Sequence, residues 1–148
     1  ANLSAVIFPF VGLVTAIVLL WGIAFNWVYL LILLFMYLAT AGGITVGYHR
    51  LFTHRSFKTS RPMIAILAVL GSMAAQGPIL EWVANHRRHH QHSDEQPDPH
   101  SPLVNFVWSH MGWLFFDVKG YTPTEVCAKY APDLMRRRFY SWLERKGT

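Results

Sequence analysis

The sequence predicts an all-α integral membrane protein. A two-span helical hairpin over residues 1–48 is followed by a cytoplasmic, membrane-associated helical region over residues 49–148. Three observations predict it. No Asp, Glu, Lys or Arg precedes Arg50. The composition is 53% hydrophobic but only 14% charged, where a soluble domain carries about 25% charged residues. Histidines then gather in two tight groups just after apolar stretches: His49 with His54, and His86 with His89 and His90.

The hairpin is read from its uncharged length. Residues 3–20 are apolar apart from Ser4 and Thr15. Residues 21–26 make a short break containing Gly22 and Asn26, and residues 27–46 are apolar again. A spanning helix needs about 20 apolar residues, and Pro9 is tolerable inside one. Arg50, Arg55, Lys58 and Arg61 follow the second span, whereas the break carries no charge. Basic residues beside a span mark its cytoplasmic end, so both ends of the hairpin are expected in the cytoplasm. Trp21, Trp27 and Tyr48 suit the interfacial aromatic belts. The first apolar stretch lacks a basic leader, which argues against a cleaved secretory signal. The chain starts at Ala1, as a processed or partial chain would.

A third apolar stretch, residues 63–80, lies between the two histidine groups and is interrupted by Gly71, Ser72, Gln76 and Gly77. A single crossing there would put the groups on opposite faces of the membrane. It is therefore expected to be a buried, re-entrant or interfacial helix. Residues 81–92 read as a helix carrying the histidine trio. Pro97, Pro99 and Pro102 mark residues 94–102 as a loop. Residues 106–116 are aromatic and apolar but too short to span. Thr122-Pro123-Thr124-Glu125 has the form of a helix start, with Thr as cap and Pro at the first position. Pro132 is expected to end that helix and open another running to Lys146. Arg136, Arg137 and Arg138 with Phe139, Trp142 and Leu143 suit a helix lying on an anionic membrane surface, or else an ordinary solvated basic face.

The net charge of +5 does not point to nucleic acid. The basic residues flank apolar segments, and no basic stripe or nucleic-acid-binding motif appears. Cys127 is the single cysteine, which excludes an intrachain disulfide. It is expected to be buried or interfacial.

The histidines carry the chemistry. Neutral imidazole is the commonest nitrogen ligand of transition metals. His86, His89 and His90 stand at i, i+3 and i+4, one face of a helix. His49 and His54 stand at i and i+5, about 140° apart on an ideal α-helix. They converge only if the helix ends or distorts between them. The chain has no clustered cysteines, which argues against a thiolate zinc or iron–sulfur site. Imidazoles beyond what one tetrahedral zinc needs favour two metals.

The run Gly47-Tyr48-His49-Arg50-Leu51-Phe52-Thr53-His54-Arg55-Ser56-Phe57 resembles the first histidine box of membrane fatty-acyl desaturases. Glu81-Trp82, then His86-Arg87-Arg88-His89-His90-Gln91-His92-Ser93-Asp94, resembles the second. Asp98-Pro99-His100 and Ser109-His110-Met111-Gly112-Trp113 are similar to the stretch after that box in the delta-9 branch. The resemblance covers residues 42–142. It implies a cytoplasmic centre of two non-haem iron ions with His49, His54, His86, His89 and His90 as ligands. It implies oxygen-dependent introduction of a cis double bond, at delta-9, into a fatty acyl chain carried as acyl-CoA or acyl-lipid. Electrons would come from a ferredoxin or a small cytochrome, and membrane lipids would surround the spans.

The family also carries a third, downstream box of the His-x-x-His-His kind, which is absent through Thr148. The chain is accordingly expected to be an N-terminal part that does not complete the di-iron site alone. His92, His100 and His110 are isolated and do not replace that box. Glu81, Asp94, Glu95 and Asp98 are near enough in sequence to orient the ligand rings, as carboxylates behind metal-bound imidazoles do, and His100 is a further candidate. Arg87 and Arg88 could face the electron donor or lipid head groups, or hold their helix at the interface. A membrane hydroxylase or ketolase uses similar boxes and is the rival within the enzymes. A non-catalytic membrane metal-binding or transport protein is the rival outside them. Transport calls for ionisable residues inside the spans, and residues 1–46 have none.

Overall fold

The computed structural model describes residues 3–20, 22–23, 26–93, 95, 101, 103–110, 112 and 123–146. All regular structure among them is helical. Helix α1 (Leu3–Leu20) and helix α2 (Trp27–Gly42) follow one another across the Gly22–Asn26 break. Asn26 caps α2 by accepting a hydrogen bond from the Val28 amide at 2.8 Å. No residue of α2 is buried, and Phe8, Val18, Leu31 and Phe35 stand exposed on the two helices. A contiguous apolar surface of this kind needs an apolar environment.

The second apolar helix does not stop at Val46 as its composition suggests. It continues through a π segment (Gly43–Thr53), whose characteristic hydrogen bond reaches back five residues rather than four. The result is one continuous helix of 27 residues, Trp27–Thr53. It is the one helix among the described residues long and apolar enough to cross a membrane. Tyr48, expected in an interfacial belt, is instead completely buried. Its hydroxyl lies 2.8 Å from Ser72 Oγ. Trp27 is exposed at the start of α2, as a belt residue would be, while Trp21 lies outside the described residues.

The third apolar stretch is broken in two. Helix α3 (Arg61–Ser72) is opened by Ser60, whose side chain accepts from the Met63 amide, with Pro62 in the first turn. Its 12 residues rise about 18 Å, short of the roughly 30 Å of hydrocarbon. Ala75 and Gly77 then take positive φ, and Pro78 starts helix α4 (Ile79–Gln91). This turn sends the chain back, so both histidine groups end on the same side of α3. A close crossing holds α3 to the π segment. A Cβ placed on Gly43 would collide with the backbone of Leu70 and Gly71.

The core lies under the histidine groups. Tyr48 and Phe52 of the π segment and Ile79, Leu80, Val83 and Ala84 of α4 pack with residues from the far end of the chain. The short helix α5 (Phe106–His110) comes before that end. The distal partners belong to helix α6 (Pro123–Tyr130), helix α7 (Pro132–Met135) and helix α8 (Arg138–Lys146). The helix expected to run from Pro132 to Lys146 is interrupted at Arg136 and Arg137. That break lets Leu134 and the pair Tyr140 and Leu143 all reach the core. Cys127 is buried, as expected. Thr122, read as the cap of α6, lies outside the described residues.

Pro78 gives α4 no side-chain cap. The cap comes from 64 residues further on: the Glu144 carboxylate accepts the Leu80 amide at 3.0 Å. An acidic group at a helix N-terminus satisfies a donor that the helix itself leaves open and meets the positive end of its dipole.

Candidate metal centre

The π register is what turns His49 and His54 into a pair. The His54 amide bonds to the His49 carbonyl at 3.0 Å, an i to i+5 bond. The Thr53 hydroxyl makes the same step to Tyr48, at 2.8 Å. A residue five positions on therefore lies above its predecessor instead of 140° away. The two rings stand 4.5 Å apart, with Nε2 atoms separated by 3.1 Å. On α4, the i, i+4 spacing brings His86 and His90 to an Nε2 separation of 3.2 Å.

The two pairs face each other. Ring centroids are 4.9 Å apart for His49 and His86, and 4.6 Å for His54 and His90. One nitrogen from each of the four lies within 4.8 Å of all the others. Imidazole nitrogens lie about 2.1 Å from a tetrahedral zinc, so two of them on one ion are about 3.4 Å apart. The cluster is close to that size. Within each pair the facing nitrogens either share a proton or point their lone pairs at a common cation, and four imidazoles converging in this way are a donor set that fits a transition metal. Burial, followed by the charges of His90, His49, His89 and His54, pushes His86 down to about 3. His90 is lowered by burial and then by His89 and His49. Both rings are thus neutral at physiological pH, the form that binds metal.

His89 is not one of this group of four. It is half-buried beside it, with its ring 5.5 Å from His90 and 6.0 Å from His86. Trp82, one turn before His86, stacks on that ring at 4.7 Å and 27°. Trp82 Nε1 donates to Gln76 at 3.3 Å, and its indole lies 5.5 Å from the Tyr48 ring. The i, i+4 spacing of Trp82 and His86 is a usable signal for this contact.

The two arginines of the second box do not present an outer face. Arg88 is 6% exposed. Arg87 forms a two-pronged ion pair with Asp133, at 2.6 and 3.2 Å. It also donates to the carbonyls of Phe52 at 2.6 Å and Tyr130 at 2.9 Å. A face for a partner or for lipid is therefore the wrong reading of both. Among the candidate acids, Glu81 sits in the first turn of α4. Glu95 lies 3.6 Å from His92 Nδ1. The His92 Nε2 faces the Tyr130 hydroxyl at 3.4 Å. Asp94, Asp98 and His100 lie outside the described residues, and His110 closes α5.

The fatty acid desaturase family model matches residues 24–147. The chain belongs to the fatty acid desaturase family. A hex-5-enoyl-[acyl-carrier protein] acetylenase of Moorena producens (strain JHB) is 42% identical over 94% of this chain and 46% of its own length. An sn-2 palmitoyl-lipid 9-desaturase of Nostoc sp. (strain 36) is 39% identical over 92% of this chain and 48% of its own. Delta-9 acyl-lipid desaturase 1 of Arabidopsis thaliana is 42% identical over 82% of this chain and 39% of its own. The chain spans about half the length of the first of these desaturase-family relatives.

Proposed function

We propose that this chain supplies the first two histidine boxes of a membrane desaturase that introduces a cis double bond into a fatty acyl chain. The observation that carries the reading is the convergence of His49, His54, His86 and His90, one nitrogen from each within 4.8 Å of the others. The reading assigns these four and His89 as ligands of two non-haem irons, with further ligands from a downstream third box. Delta-9 is the favoured position, because the acyl-lipid relatives at 36–42% identity carry that number in their names.

The overall reaction takes two hydrogens from adjacent methylenes and consumes one dioxygen, two electrons and two protons, releasing two waters. The irons supply the oxidising power for that C–H cleavage, which no side chain has. The residues of this chain do the rest. Imidazoles on the π segment and α4 would hold the metals. Trp82 fixes the His86 ring by stacking. The buried shell of Tyr48, Phe52 and Val83 keeps water from beneath the centre. The electrons are assigned to a ferredoxin or small cytochrome. The substrate is an acyl-lipid or acyl-CoA, as the names of the relatives describe for those proteins.

The test uses detergent-purified protein, as this chain and as a version extended through the third box. Elemental analysis should find two irons per chain in the extended form. Incubation with acyl substrate and reductant should yield a product two mass units lighter. A product sixteen units heavier would mean hydroxylation. A triple bond formed from an enoyl substrate would match the acetylenase. Iron absent from both forms would overturn the reading.

The membrane arrangement proposed with it is a two-span hairpin of α1 and α2 with the histidines on the cytoplasmic side. The uncharged turn between the helices and the basic exit at Arg50, Arg55, Lys58 and Arg61 support this. On α8, Phe139 and Trp142 are exposed and stacked at 6.4 Å beside Arg138, while Tyr140 and Leu143 point inward. That division supports α8 lying in an anionic interface. With Cys127→Ser as background, Gly22→Cys should label from outside sealed vesicles. Ser56→Cys should label only from the cytoplasmic side. Equal access to both from one side would refute the hairpin.

A further inference from the structure

Asp133 lies in neither histidine box, yet it bonds to both. His54 is followed directly by Arg55, and His86 directly by Arg87. Arg55 pairs with Asp133 Oδ2 at 2.9 Å, and Arg87 grips both carboxylate oxygens. The second prong of Arg87 then returns to the first box, at the Phe52 carbonyl. One carboxylate on α7 thus ties together the residue after a ligand in each box. We propose that Asp133, acting through Arg87, is a positioning residue that sets the distance and phase between the two histidine pairs. The proposal rests on the metal-binding reading above.

The chemistry suits that role. The arginine fork matches a carboxylate in a planar, two-point contact, which fixes orientation as well as distance. The Arg87 side chain is only 15% exposed, so water screens the contact weakly. Burial alone would raise the Asp133 carboxyl. The hydrogen bond and charge of Arg87 and the charge of Arg55 outweigh it and hold the carboxyl below its usual range. It is therefore ionised at neutral pH. Without it, Arg87 would be left as a largely buried cation holding two carbonyls, and α4 could shift against the π segment. His86 would move with it, because it adjoins Arg87 in the chain.

The experiment uses the full chain in lipid nanodiscs, extended through the third box, with Co²⁺ as the spectroscopic probe. Asp133→Asn should weaken Co²⁺ binding by about 10- to 100-fold, the range for residues that orient ligands without being ligands. It should also alter the visible Co²⁺ absorption. Leu143→Ala, a core truncation that loosens the same helices without touching the ion pair, should leave the affinity within about threefold. Arg55→Gln, which removes the more exposed of the two partners, should give a smaller loss than Asp133→Asn. Hydrogen exchange on the metal-free protein separates the two readings. Faster exchange at residues 49–54 and 86–90 in Asp133→Asn, with α1 and α2 unchanged, is expected. Wild-type exchange there overturns the positioning role even if the metal binds. Faster exchange in a protein whose wild type takes up no Co²⁺ overturns the metal reading instead.

Discussion

Replacing His86 with alanine in the extended protein should remove iron and abolish double-bond formation, while leaving membrane insertion and helix content unchanged. His86 is the best-connected member of the cluster. Its ring lies within 4.9 Å of His49 and 4.7 Å of His90, and its other face is covered by Trp82. Loss of that imidazole removes a ligand and leaves a gap beneath the indole. The apolar helices α1 and α2 do not depend on it. Iron per chain, circular dichroism and acyl-chain analysis of the product would be compared with the unmodified protein. Full iron content would remove His86 from the ligand set. His89→Ala addresses the residue that stands apart from the four. Product yield should vanish there too, with insertion intact, and an unchanged yield would strike His89 from the assignment.

The second large effect is expected at a position without any side chain. Gly43→Ala should destabilise the protein by about 1–3 kcal/mol, the range for forcing atoms into a packed interface. The obstacle is the backbone of Leu70 and Gly71, which has no rotamer into which to withdraw. The π segment and α3 must move apart. Because α3 and the following turn set where α4 begins, metal affinity should fall along with thermal stability. An alanine variant that melts within a degree of the wild type would show that the two helices cross less tightly than this. Gly12, with open space around it, is the matched control.

Much of this architecture is legible in the residues because the signals are physical and local. Absence of charge over residues 1–49 marks the apolar helices. The i, i+4 histidines mark the face of α4 that meets His49 and His54. The hidden parts depend on partners far away in sequence. Nothing in His49-Arg50-Leu51-Phe52-Thr53-His54 announces a π register, so the pair is readable only as a conditional: convergent if the helix distorts. Tyr48 looks interfacial because its surroundings are apolar, but Ser72 and Trp82 give its polar and aromatic parts a buried home. Arg87 looks outward because cations usually do. Its carboxylate partner sits 46 residues later. The stretch 63–80 reads as one helix because hydrophobicity cannot see a positive φ at Ala75. His89 remains assigned by resemblance, since the four-nitrogen cluster forms without it.

The cap on α4 has a consequence in time. The helix that displays the second histidine group has its first turn closed by Glu144, a residue made 64 positions after the amide it receives. During synthesis, α1, α2 and the π segment are complete while α4 still has an open end. Only when α8 has emerged and folded back can that turn be sealed. The helix that presents His86 and His90 thus gains its last N-terminal hydrogen bond only after the end of the described chain has been made.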